Sequence, residues 1–278
     1  MGKIIVLGID GADWSLIERW HERYLPGFNR LMELGVSGPL KSINPPTTCP
    51  AWWAWATGKD PSTLGVFDFA NKPVGTTQLD FVNSTAFQDY PIWKLIEQDG
   101  RRSAVIHMPV TFPPQPLNGV MVTGIMTPSH ESQFTFPTSL QQDLLNHFPE
   151  YPFDIDRARL SSKEAFRAQA RITRIQQEAI RWLWAREEYD LFVAVLMAVD
   201  RIQHLFWTEQ DLRAESADTE AILETYRVMD SWVAEWLERR RPDDYLIVLS
   251  DHGGQHCCGR FHINEWLRRE GYLHQYMP

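Results

Sequence analysis

Three aspartates and two histidines in this sequence have the types and spacing of a cation site. Asp10 closes "VLGID", Asp200 and His204 lie in "DRIQH", and Asp251 and His252 are adjacent in "SDHGG". Each aspartate follows a run of Val, Ile and Leu that reads as a strand. The carboxyl ends of parallel strands form the rim where ligands bind, so three acids placed there converge and call for a cation. A separation of four along a helix puts Asp200 and His204 on one face. Carboxylate and imidazole together suit zinc first and manganese second, whereas magnesium prefers oxygen alone. Taken one at a time, an aspartate after a strand is an ordinary helix cap and a single histidine an ordinary packing residue. Their joint occurrence at three strand ends favours the site.

A second group carries possible nucleophiles. In "NPPTTCPAWWAWATG" (44–58), Pro45 and Pro46 hold the chain extended and Pro50 is tolerated in a first helical turn. Thr48 is expected at the N-cap. A hydroxyl there, or that of Thr47 beside it, sits at the positive end of a helix, where anions also bind. Threonine is a poor nucleophile until something lowers its pKa, as a divalent metal together with a helix N-terminus would, and plain capping is the alternative. Cys49 has no charged neighbour that would mark it as a thiolate and reads as a small apolar residue of the helix start. Trp52, Trp53 and Trp55 are expected in the core.

The elements that must position these residues alternate. "KIIVLGI" (3–9), "DLFVAVLMAV" (190–199) and "DYLIVLS" (244–250) are apolar without period-two alternation, as strands buried on both faces of a parallel sheet are. A weaker run, "RSAVIHM" (102–108), follows the helical "YPIWKLIEQDG". A long helix is predicted from Ser161 or Ser162 through "AREE", its apolar stripe made of Phe166, Ile172, Ile175, Ala179, Ile180 and Leu183. The class is α/β, a mostly parallel central sheet flanked by helices in one domain spanning residues 1–278. The irregular segments 71–89 and 130–160 are candidates for a small inserted cap.

Composition fits this reading. The 278 residues are 44% hydrophobic and 23% charged, with 12 tryptophans and a net charge of -9. The 27 basic residues are dispersed, which gives no nucleic-acid-binding patch, and no apolar run reaches membrane length. Three cysteines, two of them adjacent, form no disulfide framework. With the short, interrupted apolar run near the start, these features lead us to expect a cytoplasmic protein.

"VLGIDGAD", "PPTTCPAWWAWATGKDPSTLGVFDF", "DRIQH" and "SDHGG" together resemble the alkaline phosphatase superfamily, most closely its type I phosphodiesterase/nucleotide pyrophosphatase branch. The four motifs stand in the family's order and extend to about residue 265. The resemblance implies an alkaline phosphatase-like fold, a small-molecule phosphoester substrate, two divalent metal ions and a phospho-threonine intermediate. It assigns the nucleophile to Thr48, one metal to Asp10, Thr48, Asp251 and His252, and the other to Asp200 and His204. Sulfatases of the superfamily need Cys-x-Pro-x-Arg, and Cys49 is followed instead by Pro50, Ala51 and Trp52.

Two positions depart from the family. The asparagine that holds a phosphoryl oxygen is replaced by Phe69, with Asn71 nearby as a possible stabiliser. The further histidine expected on the second metal lies downstream of the region in hand, which leaves His256 and His262 as substitute ligands and predicts a C-terminally truncated chain with an incomplete second site. A phosphonate hydrolase or phosphomutase on the same scaffold, and a degenerate relative that binds metal or phosphoester without turnover, are the alternatives.

Overall fold

Apolar β-branched runs become strands here wherever both faces can be covered. The structure is a computed structural model and describes residues 2–72, 75–76, 78–87, 91–155, 160–207, 217–255, 259 and 261–274. Its strands are β1 (Ile4–Ile9), β2 (Ala70–Asn71), β3 (Asp80–Phe81), β4 (Ser103–Ile106), β5 (Gly119–Val122), β6 (Thr135–Phe136), β7 (Leu191–Leu196) and β8 (Tyr245–Leu249). The main sheet runs β6-β5-β4-β7-β1-β8, parallel throughout except for β5 and β6; β2 and β3 form a separate antiparallel pair.

Helices cover both faces. They are α1 (Trp14–Tyr24), α2 (Pro26–Leu34), α3 (Thr48–Thr57), α4 (Pro61–Leu64), α5 (Ile92–Glu97), α6 (Ser139–His147), α7 (Ser162–Arg186), α8 (Ala198–Phe206), α9 (Ala217–Arg239) and α10 (Ile263–Arg269). The pleat of β1 divides the core. Ile5, Leu7 and Ile9 pack with Trp20, Phe28, Ile180 and Trp236 on one side, and Val6 packs with Trp52, Trp53 and Trp93 on the other. Burying such aromatic and branched side chains supplies about 1.5–3 kcal/mol each, which holds β1 and β7 rigid beneath the rim.

Three sequence expectations are corrected. β7 ends at Leu196; Met197 is the cap of α8, and Ala198 and Val199 are its first residues, so Asp200 lies in a helical first turn rather than directly on a strand end. β8 is not buried on both faces. It is an outer strand of the sheet, with Leu246 and Val248 against the core, while Tyr245 and Ile247 on the opposite face are 70% and 43% exposed. On α7 the buried stripe includes Gln169, Thr173 and Gln176, and Phe166, Ile172 and Ile175 are only partly covered. Ser161 caps that helix in a reciprocal capping box with Glu164.

Segment 130–155 packs Phe134, Leu140, Leu144 and Tyr151 into the core. No helix among the described residues is long and apolar enough to cross a membrane.

Candidate metal and nucleophile site

The parallel arrangement delivers β1, β7 and β8 to one rim. Asp10 follows β1 directly, and its chain then turns at Gly11, whose φ of +71° suits glycine. A side chain at that position would also lie 2.9 Å from the Asp200 backbone, so this glycine lets the first two motifs touch. The backbone N–H of Asp200 donates to the Asp10 carbonyl at 3.1 Å.

Thr48 is the first residue of α3; the N-cap is Thr47, one position earlier than expected, and it caps with its backbone, not its hydroxyl. Extended Thr47 turns the chain so that the Thr48 hydroxyl faces the rim. Thr48 Oγ1 lies 3.1 Å from His252 Nε2. The same nitrogen is 3.3 Å from Asp251 Oδ2 and 3.8 Å from Asp10 Oδ1. His252 Nδ1 donates to the Gly253 carbonyl at 2.8 Å, since a carbonyl can only accept. A neutral ring therefore keeps its Nε2 lone pair for the centre of the site, the tautomer that a metal-binding histidine uses.

Donor atoms of Asp10, Asp251 and His252 all fall within 4.8 Å of one another. Ligands of one tetrahedral ion bonded at ~2.1 Å stand roughly 3.4 Å apart, so little rearrangement separates this cluster from coordination. Asp10 Oδ1 and Asp251 Oδ2 are buried and have no hydrogen-bond partner. A buried carboxylate oxygen left this way is costly unless a cation answers it. Burial, then the neighbouring Asp251 and Asp200 charges, holds the Asp10 carboxyl well above its ordinary range, and burial raises Asp251 to about 7. These residues fit a divalent cation.

The remaining oxygens are positioned by residues that read in the sequence as packing, as a turn or as having no role. Trp52 Nε1 donates to Asp10 Oδ2 at 2.8 Å, and the Gly11 N–H donates to Asp251 Oδ1 at 3.2 Å. Ser250 Oγ accepts from the Ala12 N–H and donates to the His252 carbonyl. Asp13 caps α1 and also accepts from the Gly254 N–H, which ties the "SDHGG" loop to the "IDGAD" loop. Gln203 donates to the Gly11 carbonyl and to the Tyr226 hydroxyl. One signal was available: Trp52 stands four residues after Thr48, on the same helical face.

Asp200 and His204 do meet across one helical turn, with His204 Nε2 3.2 Å from Asp200 Oδ1. Asp200 Oδ2, however, accepts from Arg201 Nη1 at 2.9 Å. Burial opposes ionisation of Asp200, yet His204 and Arg201 outweigh it and lower its pKa. His262 is exposed and is the N-cap of α10, and His256 lies outside the described residues. Among the described residues, His262 is not one of the hydrogen-bond or ion-pair partners of Asp200. Asn71 lies in β2, paired with Asp80 of β3, and Phe69 is partly buried against the α3 side of the core. Cys49 is fully buried, and burial followed by the Asp68 charge pushes its thiol up to about 12, which fits packing and not attack.

A parallel α/β sheet with acids, a histidine and a helix-borne threonine at one rim defines an alkaline phosphatase-like protein. The chain belongs to the type I phosphodiesterase/nucleotide pyrophosphatase family, whose model matches residues 4–277. Murine ectonucleotide pyrophosphatase/phosphodiesterase 5 is similar in fold, with a TM-score of 0.57 and 16% identity over 90% of this chain and 57% of that one. Phosphonoacetate hydrolase from Sinorhizobium meliloti 1021 gives 0.65 and 15% over 96% of this chain and 62% of that one. A 2-O GAG sulfatase gives 0.54 and 10%, covering 91% and 58% of the two chains. The chain thus spans about three fifths of the length of these solved proteins. No curated protein sequence matches it.

Proposed function

We propose that the protein hydrolyses a small-molecule phosphoester, with Thr48 as the nucleophile and a phospho-threonine intermediate. The observation that carries this reading is the 3.1 Å approach of Thr48 Oγ1 to His252 Nε2, beside the two unpartnered oxygens of Asp10 and Asp251. Family membership supports the reaction class.

Asp10, Asp251, His252 and the Thr48 hydroxyl would hold a divalent ion, Zn²⁺ or Mn²⁺ by the chemistry of the donors. When bound, the ion supplies the positive charge that lowers the pKa of the threonine hydroxyl. Thr48 Oγ1 loses its proton to solvent and forms a bond to phosphorus as the alcohol oxygen of the ester leaves. The N-terminus of α3 favours the phosphoryl charge in this step, because first-turn N–H groups lack intrahelical acceptors. A water then attacks phosphorus from the face the alcohol vacated, breaks the Thr48 O–P bond and returns the hydroxyl. Trp52, Gly11 and Gly253 keep the ligand oxygens and the imidazole in register through both steps.

Thr48→Ala should reduce turnover of bis(p-nitrophenyl) phosphate by about three orders of magnitude or more, while retaining bound Mn²⁺. Thr48→Ser should keep part of the activity. In the wild type, rapid quench and mass spectrometry should find a p-nitrophenylphosphoryl group on the peptide bearing Thr48, since only one of the two p-nitrophenols has left at that stage. Undiminished turnover in Thr48→Ala would rule the mechanism out.

A further inference from the structure

The three rim aspartates differ in what their oxygens already hold. Asp10 and Asp251 each keep one buried oxygen without a partner. At Asp200, Oδ1 faces His204 Nε2 at 3.2 Å, much as Asp251 Oδ2 faces His252 Nε2, but Oδ2 is taken: it accepts from Arg201 Nη1 at 2.9 Å. The Arg201 side chain is 13% exposed and does not reach Asp200 by chance, because Asp154 grips it from the other side. Nε donates to Asp154 Oδ1 at 2.9 Å and Nη2 to Oδ2 at 2.7 Å, the two-pronged geometry that fixes a guanidinium plane. Asp154 belongs to segment 130–155, which is anchored in the core by Phe134 and Tyr151. The arginine is therefore held by parts of the fold that do not depend on the rim.

Among the described residues, the only group of three or more side chains with donors close enough for one ion is Asp10, Asp251 and His252. Asp200, which the family resemblance assigns with His204 to a second metal, instead has its Oδ2 held by the Arg201 guanidinium.

We propose that the Asp200 half of the site is filled by the Arg201 guanidinium in place of a second metal ion, so that the protein works with one divalent cation and one fixed arginine. This rests on reading Asp10, Asp251 and His252 as the cation site. An ion entering beside Asp200 would have to displace a hydrogen-bonded guanidinium and set its own charge against it.

Metal content decides the matter. The full chain is stripped with chelator, re-equilibrated with Mn²⁺, dialysed, and measured by plasma mass spectrometry and by calorimetric titration. One equivalent is expected in the wild type and also in His204→Ala, with affinities within about threefold of each other; the His204 side chain is 61% exposed, so its loss leaves the fold intact. Asp251→Asn should lose the single equivalent. Arg201→Met, which removes the competing charge, should gain a second and weaker one. Two equivalents in the wild type, one of them lost in His204→Ala, would overturn the arginine assignment while leaving the proposed hydrolysis standing. One equivalent in both wild type and Arg201→Met would also overturn it. No bound metal in the wild type would remove the cation site itself, and both readings with it.

Discussion

Trp52 Nε1 and Asp10 Oδ2 are joined by a 2.8 Å hydrogen bond across the boundary between the nucleophile helix and the central strand β1. Both residues are fully buried, so the bond fixes which oxygen of Asp10 is left for a cation. Trp52→Phe preserves most of the packing but leaves that oxygen without its donor, a loss of about 1–3 kcal/mol. Mn²⁺ affinity should fall about 10- to 100-fold, the usual effect of removing a group that orients a ligand. Calorimetric titration of wild type and Trp52→Phe checks this, and equal affinities would show that the indole does not orient Asp10.

The metal-free protein should lose stability as pH rises. Burial raises the folded-state pKa of Asp251 to about 7 from an ordinary value of 3.8, and that of Asp10 is raised as well. A carboxyl whose folded pKa is raised contributes its full stability below the ordinary value and loses it as pH climbs through the folded one. For one such group, the cost across that window is up to about 1.4 kcal/mol per pH unit. Asp200 is shifted the other way, so its contribution changes only at lower pH, outside the window. Melting in EDTA at pH 5 and pH 8 should show a steeper fall for wild type than for Asp251→Asn. Added Mn²⁺ should stabilise the wild type more at pH 8, where its ligands are deprotonated.

Much of the rim was legible in the sequence because each contributing motif pairs a strong strand signal with polar residues beside it. β1 and β7 are continuous runs of Val, Ile and Leu, and the four-residue spacing of Asp200 and His204 correctly placed them on one helical face. An apolar run does not say where a strand stops, so Met197, Ala198 and Val199 read as strand although they cap and begin α8. Nor does it distinguish a central strand from an outer one, and Tyr245 and Ile247 look in sequence like any buried pair. The contacts that tune the site are less visible still. Asp154 and Arg201 are 47 residues apart with no periodic relation, and only tertiary packing brings them together.

Arg201→Met should lower the stability of the metal-free protein by about 2–3 kcal/mol. Removing one member of a buried charge pair costs roughly 3–5 kcal/mol, and the partly exposed Asp154 end reduces that figure. Arg201→Lys keeps the charge but cannot hold both Asp154 oxygens in a planar fork, so its loss should be smaller but measurable. Urea denaturation in EDTA gives the comparison, and an unchanged midpoint in Arg201→Met would show that the arginine is not anchored as described.

Gly11 offers a test of how closely the motifs must approach, with Gly58 as its control. Both glycines adopt a left-handed backbone, φ +71° and +69°, so alanine at either position carries a conformational cost of about 1–2 kcal/mol. At Gly58 a new Cβ meets nothing within 4 Å, whereas at Gly11 it lies 2.9 Å from Asp200 Cα and Cβ and 3.2 Å from the Asp200 nitrogen. Those are mostly backbone atoms of a helix start and cannot rotate aside, so overpacking adds about 1–3 kcal/mol. Gly11→Ala should therefore be more destabilising than Gly58→Ala by that added amount in urea denaturation. It should also weaken Mn²⁺ binding, because pushing α8 away from the turn strains the Gly11 N–H to Asp251 bond that steadies a ligand. Gly58→Ala, at the far end of α3, should bind Mn²⁺ as the wild type does. Equal stability losses in the two variants would mean that the turn at Gly11 has room the close approach denies.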